Sequence, residues 1–164
     1  MQYKYYLHLF AGMAMLELGN LASSLAPFNV SAVSESLGAN SQESGLVVTL
    51  ELFFAAISSL FFGTVSYKGK ALAYCGSLIV ICSYFLCSIA SDVNQITFIK
   101  AFSGIGCGML IASGHSILAS SQDPNRSYAL FTLFASLTAA FLIYISSTWL
   151  SLIHISEPTR RYAI

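Results

Sequence analysis

Charged side chains are scarce in this chain of 164 residues, because 9% are charged while 56% are hydrophobic. Soluble domains carry about 25% charged residues, so this sequence cannot cover a water-exposed surface with polar groups. The composition therefore excludes an ordinary soluble domain and predicts an integral membrane protein. The formal net charge is zero, so no nucleic-acid partner is predicted.

Motifs for metal, redox or hydrolytic chemistry are also missing. The sequence contains no CxxC or HExxH pattern and no recognisable nucleophile–base set. The four cysteines lie inside apolar stretches and are predicted to be small core residues rather than ligands or disulfide partners. They are Cys75, Cys82, Cys87 and Cys107. The sequence therefore predicts no metal, no cofactor and no enzymatic activity.

Five long apolar segments are present, each of about 20 residues, the length that crosses the hydrocarbon of a bilayer. They cover residues 6–28, 45–66, 71–90, 96–120 and 128–150. Polar and apolar residues do not alternate along them, which excludes a lipid-facing barrel. The predicted fold is an all-α membrane protein of five transmembrane helices, antiparallel to their neighbours because the connections are short.

The basic residues of the connections fall on one side of this topology. The N-terminus, the second loop and the fourth loop hold Lys4, Lys68, Lys70 and Arg126. The first and third loops contain acidic residues and no Lys or Arg. The positive-inside rule then predicts a cytoplasmic N-terminus in a multi-pass protein of the cell membrane, either a plasma or a bacterial inner membrane.

Three stretches, taken in order, carry a resemblance. Residues 25–63 read LAPFNVSAVSESLGANSQESGLVVTLELFFAAISSLFFG, residues 63–70 read GTVSYKGK, and residues 99–120 read IKAFSGIGCGMLIASGHSILAS. Together they resemble the N-terminal half of a major facilitator superfamily transporter, over about residues 5–149. The family has twelve helices in two six-helix halves with the substrate site between them. The resemblance implies secondary active transport of a small solute by alternating access, through part of the N-terminal half.

The second stretch is similar to the family's gating loop between helices two and three. The positions that correspond to this loop are Gly63, Tyr67, Lys68, Gly69 and Lys70. Either Tyr67 or Ser66 stands where the family's signature carries Asp. This departure keeps open an alternative function, a membrane scaffold or accessory subunit that does not transport.

An acid lies near the middle of the first segment, at Glu17. A charged residue there costs at least about 2.5 kcal/mol, so Glu17 is expected to face the bundle or a wet cavity. Asn20 follows three residues later on the same helical face. Glu17 is predicted to take up and release a coupling proton, and Asn20 to contact solute. The alternative is a structural acid that fixes helix packing.

Lys100 lies about one turn into the fourth segment and has three candidate roles. It could hold an anionic or polar group of the solute, pair with an acid such as Glu51, or extend its stem to the interface. Glu51 and His115 are further candidates for solute contacts. The alternative for Glu51 is a position close to the outer water, and the alternative for His115 is a hydrogen-bonded packing role. The resemblance places the first and fourth helices beside the transport path. Three glycines are predicted to allow close helix packing: Gly104, Gly106 and Gly108.

The last residues have a separate character. Residues 150–164 read LSLIHISEPTRRYAI, which resembles the translation of a transposase adapter used to prepare sequencing libraries. We expect residues 1–149 to be the natural transmembrane bundle and residues 150–164 to be a non-native tail. The alternative is a genuine amphipathic tail with a basic end. Residues 1–149 alone are expected not to transport, because half of the predicted site would be absent.

Overall fold

The computed structural model describes residues 2–64 and 69–155, and this part of the chain is entirely helical apart from short connections. The helices are α1 (Gln2–Ser24), α2 (Ala26–Leu37), α3 (Ser41–Thr64), α4 (Gly69–Ile89), α5 (Val93–Ala119) and α6 (Pro124–Ile155). Four of them are long and apolar enough to cross a membrane, and counting the bent α1–α2 pair as one span gives up to five. The prediction of an all-α, multi-pass membrane protein is confirmed at this level.

The predicted span 6–28 differs from the structure because the chain bends by 51° between α1 and α2. Leu25 stands at the break and Pro27 lies in the first turn of α2. Proline has no N–H to donate and its ring crowds the carbonyl four residues earlier, which favours a kink or break at this point. The helix therefore resumes in a new direction and continues to Leu37.

The polar stretch after the first span is mostly helical rather than a loop. α2 ends at Gly38, whose φ of 64° is the left-handed conformation that favours glycine. α3 begins soon after, where the Asn40 and Glu43 side chains each accept a hydrogen bond from the other residue's backbone N–H, at 2.9 and 3.0 Å. This reciprocal cap explains why the polar residues start a helix there. The later helices also start before their apolar runs do, and α6 continues past residue 150 to Ile155.

α5 is the central helix of the bundle, and small residues let its neighbours approach closely. A Cβ on Gly108 would lie 2.5 Å from the carbonyl oxygen of Ala55 in α3, and one on Gly104 would meet the α3 backbone in the same way. A Cβ on Gly106 would lie 2.9 Å from the carbonyl oxygen of Gly76 in α4. The predicted packing role of these glycines corresponds to the contacts they make.

The remaining helices differ in how much they pack. α1 contributes Leu9, Met13 and Leu16 to an apolar cluster with Leu118 of α5. α6 joins this cluster only near its start, through Tyr128 and Phe131, and its later described side chains are exposed or half-buried.

The cysteines do not share one environment. Cys107 is buried in α5, whereas Cys75 and Cys82 of α4 are exposed. The prediction that all four are core residues is therefore wrong for these two. They lie on a face of α4 that is not covered by protein, and an apolar thiol is tolerated there because lipid would cover it.

Candidate functional site

The most prominent polar feature inside the bundle is an ion pair between α3 and α5. The Lys100 ammonium lies 3.1 Å from Oε2 and 3.4 Å from Oε1 of Glu51. The exposed fraction is 6% for Lys100 and 0% for Glu51. Lys100 precedes Gly104 by one turn, so the close α3–α5 approach that the glycine allows also brings the two charges together. Lys100 is too deeply buried to be reaching for the interface.

A third helix closes the side of this pair. The Lys100 ammonium lies over the ring of Tyr84 in α4, 4.4 Å from its centroid. An aromatic face attracts a cation, and the attraction grows when water is absent. Lys100 is therefore held by one carboxylate and one ring, and its charge is neutralised within the bundle.

An apolar cluster covers the pair at the end where α3 and α5 begin. Val47 lies one turn before Glu51, and Ile96 lies one turn before Lys100. Both are buried together with Val33 of α2. The bend after α1 places α2, and with it Val33, beside the start of α3. Water is thereby excluded from this side, and the low dielectric strengthens the attraction between the charges.

Glu17 is the second buried acid, and its surroundings are different. It is 8% exposed, yet no hydrogen bond or ion pair reaches its carboxylate from the side chains that the structure describes, those of residues 3, 5–64 and 69–148. Asn20 donates to the Leu16 carbonyl at 2.9 Å, so it turns back to its own helix instead of to Glu17. The structure pairs Lys100 with Glu51 and leaves Glu17 without a counter-ion in the described part.

His115 lies far along α5, near the start of α6. Its Nδ1 is 3.1 Å from the hydroxyl oxygen of Tyr128, and both rings line a cavity of about 480 Å³ with Ser59 of α3. His115 is exposed towards this space. An imidazole and a phenol in contact can donate hydrogen bonds to a polar solute or accept them from it.

The predicted gating loop is described only in part. Gly63 lies in the last turn of α3, and Gly69 and Lys70 open α4. Tyr67 and Lys68 lie outside the described residues. Lys70 lines a different cavity, against α1 and α5.

Two aromatic partners were missed at the level of sequence, Tyr84 and Tyr128. Each lies in an apolar helix, and nothing in its local sequence marks it as a functional residue. Its role depends on a second helix, which supplies the charged or basic group.

Among the described residues no three His, Cys, Asp or Glu side chains come together as a metal site would require.

In comparison with known proteins, no family model, no curated protein and no solved structure matches this chain.

Proposed function

We propose that this chain is part of the N-terminal half of a secondary active transporter for a small solute, with the architecture of the major facilitator superfamily and a cytoplasmic N-terminus in the cell membrane. The observation that carries the proposal is Glu17, an acid more than nine-tenths buried with no partner among the described residues. An acid that fixes helix packing through its charge would be paired, as Glu51 is. An unpaired intramembrane acid is typical of proton and solute pathways.

Glu17 and Lys100 would have separate roles in transport. Glu17 would be neutral while its surroundings are dry and would release its proton when the cavity opens to water. Lys100 would bind a polar or anionic group of the solute, and this group would replace Glu51 as the partner of the ammonium. His115 and Tyr128 would supply hydrogen bonds further along α5. Alternating access would expose this path to each side of the bilayer in turn.

Solute-driven proton movement tests the proposal. The complete protein would be placed in liposomes that contain a pH-sensitive dye, and a panel of carboxylates, sugars, amino acids and amines would be added outside. We expect at least one solute to change the internal pH several-fold faster than in protein-free liposomes, because proton and solute share one path.

The contrary result is equally defined. If folded protein moves no protons with any member of the panel and no radiolabelled solute enters, the scaffold or accessory subunit becomes the better interpretation. Solute entry without proton movement would retain transport and remove the proton as its coupling ion.

A further inference from the structure

A cavity of about 450 Å³ lies between α1, α4 and α5, away from the ion pair. Its mouth is situated near where α1 and α4 begin and where α5 ends, so in a bilayer the mouth would lie at the depth of the lipid headgroups on one side of the bundle. Its polar lining residues are His8, Lys70, Ser77, Ser113, Ser116 and Ser120. Of the residues discussed for transport, only Gly69 and Lys70 of the predicted gating loop line it.

The mouth of this cavity carries uncompensated positive charge. Lys70 is exposed and has no anionic partner in residues 2–64 and 69–155, in contrast to Lys100. The described lining contains no Asp or Glu. His8 adds a second nitrogen donor on the α1 side. The nearest acid along α1 is Glu17, about 13 Å further along the helix at 1.5 Å per residue.

Free hydroxyl donors lie deeper. The Ser77 and Ser116 hydroxyls make no hydrogen bond within the described part of the chain. Ser77 lies about 10 Å from Lys70 along α4. Met15 of α1 adds an apolar side chain to the deeper part, and Ile117 lines the cavity nearer the end of α5. The cavity is thus cationic at the headgroup level and mixed polar and apolar below it.

This order of groups corresponds to the order of groups in a phospholipid. A phosphate would meet Lys70 and His8, ester carbonyls would accept hydrogen bonds from Ser77 and Ser116, and the first methylenes would lie along Met15. Basic cavities between transmembrane helices bind anionic headgroups by this combination of charge and depth. Inorganic phosphate could contact only Lys70 and His8 at the mouth of the cavity, because it has no ester or methylene groups to fill the deeper part. We propose that the cavity binds one anionic phospholipid, independently of any transported solute.

Lipid retention measured by native mass spectrometry tests the site. The purified chain would be exchanged into detergent with phosphatidylglycerol or with phosphatidylcholine of identical acyl chains. We expect preferential retention of one phosphatidylglycerol, reduced about fivefold by Lys70→Gln, since one cation near a headgroup contributes about 1 kcal/mol. Lys70→Arg should keep the preference. Ser77→Leu should reduce it without changing the net charge, because the leucine side chain would fill the deeper part.

Arg126→Gln is the matched control, since Arg126 is predicted on the same side and does not line the cavity. It should leave retention unchanged. Equal losses in Lys70→Gln and Arg126→Gln would show general surface attraction and overturn the site. Displacement of the lipid by millimolar inorganic phosphate or glycerol phosphate would show a site for a free phosphate anion and also overturn the lipid assignment.

Discussion

Glu17→Gln is expected to abolish proton-driven accumulation of solute while leaving solute exchange largely intact. Glutamine has the shape of the protonated acid and cannot release a proton, so the variant would be fixed in one of the two coupling states. Without a proton to release, the variant could only equilibrate the solute across the membrane, so the internal concentration should not exceed the external one. Uptake against a gradient and counterflow at equal concentrations, both in proteoliposomes, measure the two activities separately.

Glu35→Gln provides the control, because Glu35 is an exposed acid in α2 and undergoes the same chemical change. It should accumulate solute as the parent protein does. A Glu17→Gln variant that also accumulates solute normally would show that Glu17 is a structural acid. Loss of counterflow together with accumulation would instead place Glu17 in direct contact with solute.

Glu51→Gln is expected to destabilise the bundle strongly. The substitution leaves the buried Lys100 ammonium without its counter-ion, and breaking a buried pair from one side costs about 3–5 kcal/mol. Tyr84 would retain only the weaker attraction of its ring for the cation. Thermal unfolding in detergent, followed by circular dichroism, should show a large fall in the midpoint. Replacing both charges, as in Glu51→Leu with Lys100→Met, should recover most of the loss.

The control for this pair is Glu43→Gln in the same helix. Glu43 is exposed and serves only the cap at the start of α3, where a glutamine side-chain oxygen can still accept the hydrogen bond. Its midpoint should change little. If Glu51→Gln unfolds at the parent's temperature, or if the double variant is no more stable than the single one, the ion pair does not hold α3 and α5 together.

The helical class was predictable because apolar length is a local property of the sequence. The first bend was harder to predict from the sequence, although Pro27 marks its position. The polar residues after it resemble a loop, but the caps at Gly38 and Asn40 allow them to form helices. Helix starts were placed too late for the same reason. Apolar runs identify the buried part of a helix, whereas capping residues such as Asp123 extend it into polar sequence.

The site was predictable only as a set of separate candidates. Glu17, Glu51 and Lys100 are recognisable because intramembrane charges are rare, but their partners depend on which helices meet. Lys100 pairs with Glu51 because Gly104, one turn further along α5, meets the α3 backbone at Glu51 itself. The glycine contacts of α5 with α1 lie further along, at Cys107 and Gly114. The ring of Tyr84 requires the position of α4 as well. No periodicity within one segment contains that information.

Access to the middle of α1 from the two sides of the membrane tests the central claim most directly. The complete protein with Asn20→Cys, in a background free of its native cysteines that still transports, would be treated with an impermeant thiol reagent. Alternating access predicts labelling in right-side-out vesicles and also in inside-out vesicles, with solute changing both rates in opposite directions. Labelling from one side only, at a rate that no solute changes, would contradict a transport path beside Glu17.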